Sequence, residues 1–444
     1  MHLGFIAMSG LRVCDHELLN LGLSFPAVAS RAKEIEALPS LGLLTLAGMI
    51  PECHTKEYYE VRDLSRSAVP VHFDVVLISF LSATAKEAYE WASAFREIGT
   101  TVILGGLHVT LNPDEAQRHG DCIVIGEGEP VMPQIIDDLE QGRLQARYDA
   151  KQGRPFDFQQ APMPAFELLS PERYTRFTVQ TQRGCPLSCS FCASSIRLSP
   201  TFRVKPVEKV IAEIQMLKTL SNGSPFIEFA DDNTFSHRRH ARELMKAVAK
   251  EEIRWFTETD LSIADDPELL QMIREAGCAE VLIGFESPDV EILNGIETKT
   301  NWKAKRADRY LKAIETIQSH GIAVNGCFVL GLDGQTPASF DAVAHFVERS
   351  GLFDVQITYL TPFPGTPMHR QLTEEGRILV EGAHERCTLF DINFQPSHMT
   401  VEQLRSGFHG LMERLYRPQA VRQRTRQFWS QKRKGVSSDN EAER

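Results

Sequence analysis

The chain has 444 residues, 42% hydrophobic and 24% charged, a globular composition spread over more residues than one core serves, so two or three domains are expected. A formal net charge of −11 excludes a nucleic-acid backbone as the main partner, because such binding rests on neutralisation of phosphate by Lys and Arg. Nine cysteines at irregular spacing suit a reducing, cytoplasmic compartment with one metal site and exclude a disulfide framework.

Met1 to Met8 has no basic region and Asp15 and Glu17 follow closely, so no signal peptide is expected. No apolar run approaches the roughly 20 residues of a bilayer span; the window Leu38 to Ile50, broken by Pro39, Ser40 and two glycines, reads as a buried helix. Residues 1–141 alternate strand and helix: strands Leu3–Met8, Asp74–Ser79, Thr101–Leu104 and Asp121–Ile125, with helices Thr84–Ile98 and Pro130–Leu139. Branched apolar runs of that kind belong to a parallel sheet buried on both faces, a doubly wound α/β domain whose ligand lies beyond the carboxyl ends of its strands.

Those ends carry Ser79-Phe80-Leu81, Gly105-Gly106-Leu107-His108 and Gly126-Glu127-Gly128-Glu129. Glycine lets a backbone approach a large flat ligand closely, although each stretch alone is also an ordinary strand-to-helix turn. In this order they resemble the cobalamin-binding domain that precedes many radical S-adenosylmethionine (radical SAM) cores. Ser79 and Leu81 match its SxL element and Gly105 and Gly106 its GG element; His108, Gly126, Glu127 and Gly128 complete the cobalamin-facing set that the resemblance implies. Many such domains carry a DxHxxG loop whose histidine coordinates cobalt. Ser9 to Asn20 lacks that pattern, so the resemblance implies cobalamin without a histidine from that loop, and His108 suits a pocket or turn residue better than a cobalt ligand.

Residues 142–175, with Pro155, Pro162, Pro164 and Pro171, form a linker. From 176 to 367 six strands are expected: Phe177–Thr181, Phe226–Ala230, Trp255–Thr259, Val281–Phe285, Ala323–Leu330 and Val355–Leu360. Apolar stripes at helical spacing lie between them, such as Val207, Val210, Ile211, Ile214 and Leu217. Six units fall short of a closed eightfold barrel, which leaves a partial (β/α)6 barrel with its chemistry at the strand carboxyl ends.

The loop after the first of these strands holds Cys185, Cys189 and Cys192 at CxxxCxxC spacing. A [4Fe-4S] cluster with four irons and three local thiolates keeps one iron open for another ligand. Zinc or packed free cysteines are the alternatives, although zinc would want a second Cys or His pair at knuckle spacing and none follows before His237. With Phe191 before the last cysteine, the motif is similar to the signature of the radical SAM enzymes. That resemblance implies SAM at the open iron, beside Phe191. Asp231 and Asp232 stand where the family holds the SAM amino group, and Glu258 and Glu286 stand at the next strand ends as ligands for a ribose or for substrate.

Pro362 to Pro367 is similar to the proline-rich turn after the last strand of cobalamin-type radical SAM proteins. Residues 368–418 are expected as an accessory helical region, with Thr400 and Gln403 forming a capping box, and residues 419–444 as a basic, disordered, solvated tail. The resemblance as a whole implies a radical SAM enzyme with a [4Fe-4S] cluster, SAM and methylcobalamin, fed by an external electron donor such as flavodoxin or ferredoxin. The expected reaction is methylation of an unactivated carbon of a small-molecule, lipid or peptide substrate. Cyclisation, ring contraction or oxidation without methyl transfer is the alternative, followed by a non-enzymatic cobalamin or iron–sulfur sensor. No general acid or base stands out; Tyr359, His369 and Cys327 are unranked candidates.

Overall fold

The computed structural model describes residues 1–10, 12–62, 72–193 and 201–442, and the chain divides into two units. The first gathers Met1–Arg12, Lys33–Gly184 and a stretch ending at Pro225; the second gathers Val13–Ala32, the loop beginning at Cys185, and the chain from Phe226 onward.

In the first unit, β1 (His2–Met8), β2 (Thr55–Val61), β3 (Val75–Ser79), β4 (Thr101–Gly105), β5 (Cys122–Ile125) and β6 (Arg147–Asp149) form one sheet in the order β2-β1-β3-β4-β5-β6. All of its pairs are parallel. The apolar runs of β1, β3 and β4 feed two core layers. Phe5, Leu77 and Ile103 face one layer, and Ile6, Ile78 and Leu104 face the other, as the twofold alternation of a strand buried on both faces requires. The strand order reverses between β1 and β3, and a ligand of such a sheet lies outside the carboxyl ends at that reversal.

Two strands of this sheet were not expected: β2 and β6. The sequence of β2, TKEYYEV, is an edge strand that mixes charge with aromatics, and β6 contributes one fully buried residue from within the linker, Tyr148. The window at 38–50 does form a helix, Leu41–Ala47, burying Leu43, Leu44, Thr45 and Ala47. Further on, β7 (Phe177–Val179) is the first expected core strand, and β8 (Gln182–Arg183) pairs antiparallel with β9 (Arg203–Val204) on either side of the cysteine loop in the sequence.

In the second unit, β10 (Phe226–Phe229), β11 (Arg254–Thr259), β12 (Cys278–Glu286), β13 (Ala323–Leu330) and β14 (Asp354–Tyr359) lie side by side in chain order, all parallel. One face of these strands buries Val281, Ile283, Phe285, Val324, Phe328, Val355 and Ile357. The residues that alternate with them, including Leu282, Gly284, Cys327, Gln356 and Thr358, line a cavity. Helix Val401–Tyr416 starts at the expected capping box. Among the described residues, no helix is long and apolar enough to cross a membrane.

The stretch expected as a disordered tail is instead helical from Pro418 to Ala442. Its basic composition concealed a buried stripe. Arg424 is 5% exposed and donates to the Leu415 carbonyl at 2.7 Å, Phe428 meets Phe353 at 4.9 Å between ring centroids, and Gln431 accepts from Gln318 at 2.8 Å. The spacing 424, 428, 431 places all three on one helical face.

Candidate active site

The cysteine loop is held by its neighbours in the second unit. Cys189 forms an antiparallel bridge with Glu297, flanked by Ser190 N–H to the Ile296 carbonyl at 2.9 Å and Thr298 N–H to the Ser188 carbonyl at 3.0 Å. Cys192 N–H closes a turn onto the Cys189 carbonyl at 3.2 Å. All three cysteines are free of disulfides and border one cavity of about 1190 Å³, mouth included. Burial pushes the Cys185 thiol up to about 11 and the Cys189 thiol up to about 12; a bound metal reverses such a shift by deprotonating the thiol outright. Three cysteine sulfurs outside any disulfide, lining one cavity, are a donor set that fits a cluster with an open iron.

Opposite the sulfurs stand the strand ends. Phe191, Asp232, Glu258, Asp260 and Glu286 border the same cavity, together with Cys327 and Lys303. The expected pair Asp231 and Asp232 divides: Asp232 lines the cavity, whereas Asp231 is 4% exposed and accepts from the Thr234 hydroxyl at 3.0 Å, so its carboxylate works inside the fold. Glu258 is exposed to the cavity, and the protein enclosing that cavity, reinforced by Glu228 and Asp232, raises its carboxyl to about 7. Glu286 has φ +61° beside a bulge in β12, an uncommon backbone state for a residue other than glycine and one found at functional sites.

Lys303 escaped the sequence reading. Its ammonium donates to Glu286 Oε1 at 2.8 Å and to the Gly284 carbonyl at 2.7 Å. Burial alone would lower its pKa, but Glu286 and Cys189 overcome that and raise it. Of the unranked candidates, Cys327 lines the cavity as a thiol raised by burial, Tyr359 borders it but packs its ring, tilted, against Phe408 at 4.1 Å, and His369 lies outside its wall.

The cobalamin-facing set lies in the first unit. Ser79 and Gly105 are half-buried at their strand ends, and Leu81 is 59% exposed, an apolar ledge beside the β1/β3 reversal that suits the face of a flat ligand. Gly106 has φ +101°, and a Cβ there would lie 2.8 Å from the Phe80 carbonyl oxygen. A Cβ on Gly128 would meet Leu46 at 2.9 Å, so that glycine serves helix packing, while Gly126 donates its N–H to the Thr110 hydroxyl at 3.0 Å.

Two members of the set are spoken for. His108 is fully buried, its ring beside Phe80 and Tyr89, its Nδ1 3.2 Å from the Ser82 hydroxyl and its Nε2 3.6 Å from a Glu115 carboxylate oxygen, so both ring nitrogens face groups of the fold. The Glu127 carboxylate is taken by Arg183 at 2.8 Å and by Arg203 at 2.5 Å. Arg183 also reaches Glu129 at 2.8 Å, and its guanidinium lies 4.8 Å from the Phe158 ring. The sequence carried no signal for this clamp, because its members are 54 to 76 positions apart.

Comparison with known proteins agrees with this geometry. Residues 36–136 match the B12 binding domain, residues 179–347 the Radical SAM superfamily, and residues 366–443 a domain of unknown function, DUF4070. The chain is 28% identical to bacteriochlorophyllide d C-12(1)-methyltransferase of Chlorobaculum tepidum, across 79% of this chain and 76% of that protein. It is 27% identical to hopanoid C-2 methylase of Rhodopseudomonas palustris, across 87% and 73%. Its fold matches the cobalamin-dependent S-adenosylmethionine radical enzyme OxsB with a TM-score of 0.66 at 15% identity, covering 92% of this chain and 65% of that one. The chain therefore carries a radical SAM domain, and its relatives are enzymes. Beside it stands a B12-binding domain, and the two together imply a [4Fe-4S] cluster, SAM and cobalamin as cofactors.

Proposed function

We propose that this protein is a cobalamin-dependent radical SAM methyltransferase acting on an unactivated carbon of a small, largely apolar molecule. The observation that carries the reading is the cavity in which Cys185, Cys189 and Cys192 meet the acidic strand ends. When bound, the [4Fe-4S] cluster and SAM supply a carbon-centred adenosyl radical and cobalamin supplies a methyl group. Cys185, Cys189 and Cys192 hold the cluster, and Asp232 and Glu258 offer oxygen acceptors to an ammonium or a ribose hydroxyl. Glu286, fixed by Lys303, presents a carboxylate of set orientation. Leu282, Val329, Phe363 and Leu389 on the cavity wall exclude water and favour an apolar guest. Ser79, Leu81, Gly105 and Gly106 offer the ledge for the corrin face. An external donor such as flavodoxin or ferredoxin supplies electrons in a reducing cytoplasm.

The test is anaerobic reconstitution of the wild type and of a Cys185→Ala, Cys189→Ala, Cys192→Ala triple variant. The wild type is expected to take up iron and cleave SAM, and the variant to do neither while still binding cobalamin. A wild type without iron–sulfur absorbance or SAM cleavage overturns the reading, and a product lacking one added methylene mass moves the assignment to cyclisation or oxidation.

A further inference from the structure

Glu297 is 2% exposed and lies outside every element expected to carry chemistry, yet five donors converge on its carboxylate. Oε1 accepts from the N–H groups of Ser188 at 3.2 Å and Lys299 at 3.1 Å. Oε2 accepts from Thr300 N–H at 2.8 Å, the Thr300 hydroxyl at 2.6 Å and Trp302 N–H at 3.3 Å. Four of these groups belong to the turn that follows Glu297; the fifth, Ser188, belongs to the cysteine loop, one residue before Cys189. The backbone of Glu297 is also the bridge partner of Cys189, and the Thr298 hydroxyl adds a bond of 3.0 Å to the Ser188 carbonyl.

We infer that Glu297 is a positioning residue for the cluster: its carboxylate ties the backbone before Cys189 to the 297–302 turn and so fixes where the middle sulfur of the three points. The inference rests on the assignment of Cys189 as a cluster ligand. The chemistry demands a carboxylate, because a nest made only of donors is satisfied by a group that only accepts. A glutamine of the same shape would turn two N–H donors toward the nest and leave Ser188 or Thr300 unpaired. Groups that orient a metal ligand without touching the metal typically govern affinity by about 10–100-fold.

The test compares wild type, Glu297→Gln and Thr300→Val after anaerobic reconstitution, reading iron per chain, its survival in an iron chelator, and the electron paramagnetic resonance spectrum of the reduced cluster. Thr300→Val removes one hydroxyl from the nest and leaves the Ser188 bond in place. Glu297→Gln is expected to lose iron to chelator about 10–100-fold more readily and to show altered g-values, while Thr300→Val behaves as wild type. If Glu297→Gln does not fold, Glu297→Asp, one methylene shorter, is read in its place with the same expectation. Equal retention and an unchanged spectrum in the folded carboxylate variant overturn the inference, as does equal loss in Thr300→Val, which would make the effect one of general stability. A wild type that takes up no iron overturns instead the cluster assignment beneath it.

Discussion

The ammonium of Lys303 lies 2.8 Å from Oε1 of Glu286, and both side chains are less than one-tenth exposed. Removing one member of a buried ion pair strands the other, at a cost of about 3–5 kcal/mol. Lys303→Met is therefore expected to lose that much in urea unfolding of the cluster-free protein. Adding Glu286→Gln should recover most of the loss, because the stranded charge is gone. A double variant as unstable as the single would show that the charge pairing is not what matters.

Glu258 makes the stability of the apo protein depend on pH. Its folded carboxyl is raised to about 7 from an ordinary 4.5, so the folded state holds a proton that the unfolded chain has released. The sign follows from proton linkage: this contribution is complete below about 4.5 and is lost as pH rises through 7. The melting temperature of the cluster-free wild type should fall between those values, and Glu258→Gln should flatten the profile. A slope unchanged by the substitution would assign it to other groups.

Glu127 acts in the opposite sense. Burial alone would raise its carboxyl, but hydrogen bonds from Arg203 and then Arg183 outweigh that and hold it below the usual range. Its stabilisation is present above the ordinary carboxylate pKa and disappears as pH falls through the lowered one. Glu127→Gln should thus weaken the first unit near neutrality and reduce its sensitivity to acid, which circular dichroism between pH 3 and 7 would read. A variant that remains as stable as wild type and equally acid-sensitive would remove the clamp from the list of stabilising contacts.

Helix Val401–Tyr416 begins with reciprocal bonds, Gln403 N–H to the Thr400 hydroxyl at 3.1 Å and Thr400 N–H to the Gln403 side chain at 2.8 Å. Loss of such a cap typically costs about 1 kcal/mol. Thr400→Ala should shift the unfolding midpoint by that amount and leave iron uptake of the reconstituted protein unchanged, whereas loss of iron would give this helix a role at the cavity.

What the sequence disclosed follows the range of the forces involved. The three cysteines were legible because they form a pattern of residue type and spacing complete within eight positions of one loop. The inner strands were legible because burial on both faces writes a continuous apolar run. Edge strand β2 was missed because Lys56, Glu57 and Glu60 interrupt its apolar residues. Lys303 and Glu297 were missed because their significance lies in partners 17 and 109 residues away. Asp231 and Asp232 look alike in the sequence; only the path of the chain beyond β10 turns one inward and the other to the cavity. The helix at Pro418–Ala442 was hidden because charge composition was read where the position of Phe428 decided the outcome.

Gly106 carries a final consequence. The space a methyl would occupy is already filled by the carbonyl of Phe80 and the hydroxyl of Ser79, so the ends of β3 and β4 meet across a gap that only hydrogen fits. Any larger residue would wedge those ends apart and tilt the shelf on which Leu81 stands. The fit of those two ends is thus set by an atom that is not there, and a substitution that adds no charge and removes no hydrogen-bonding group would still disturb it.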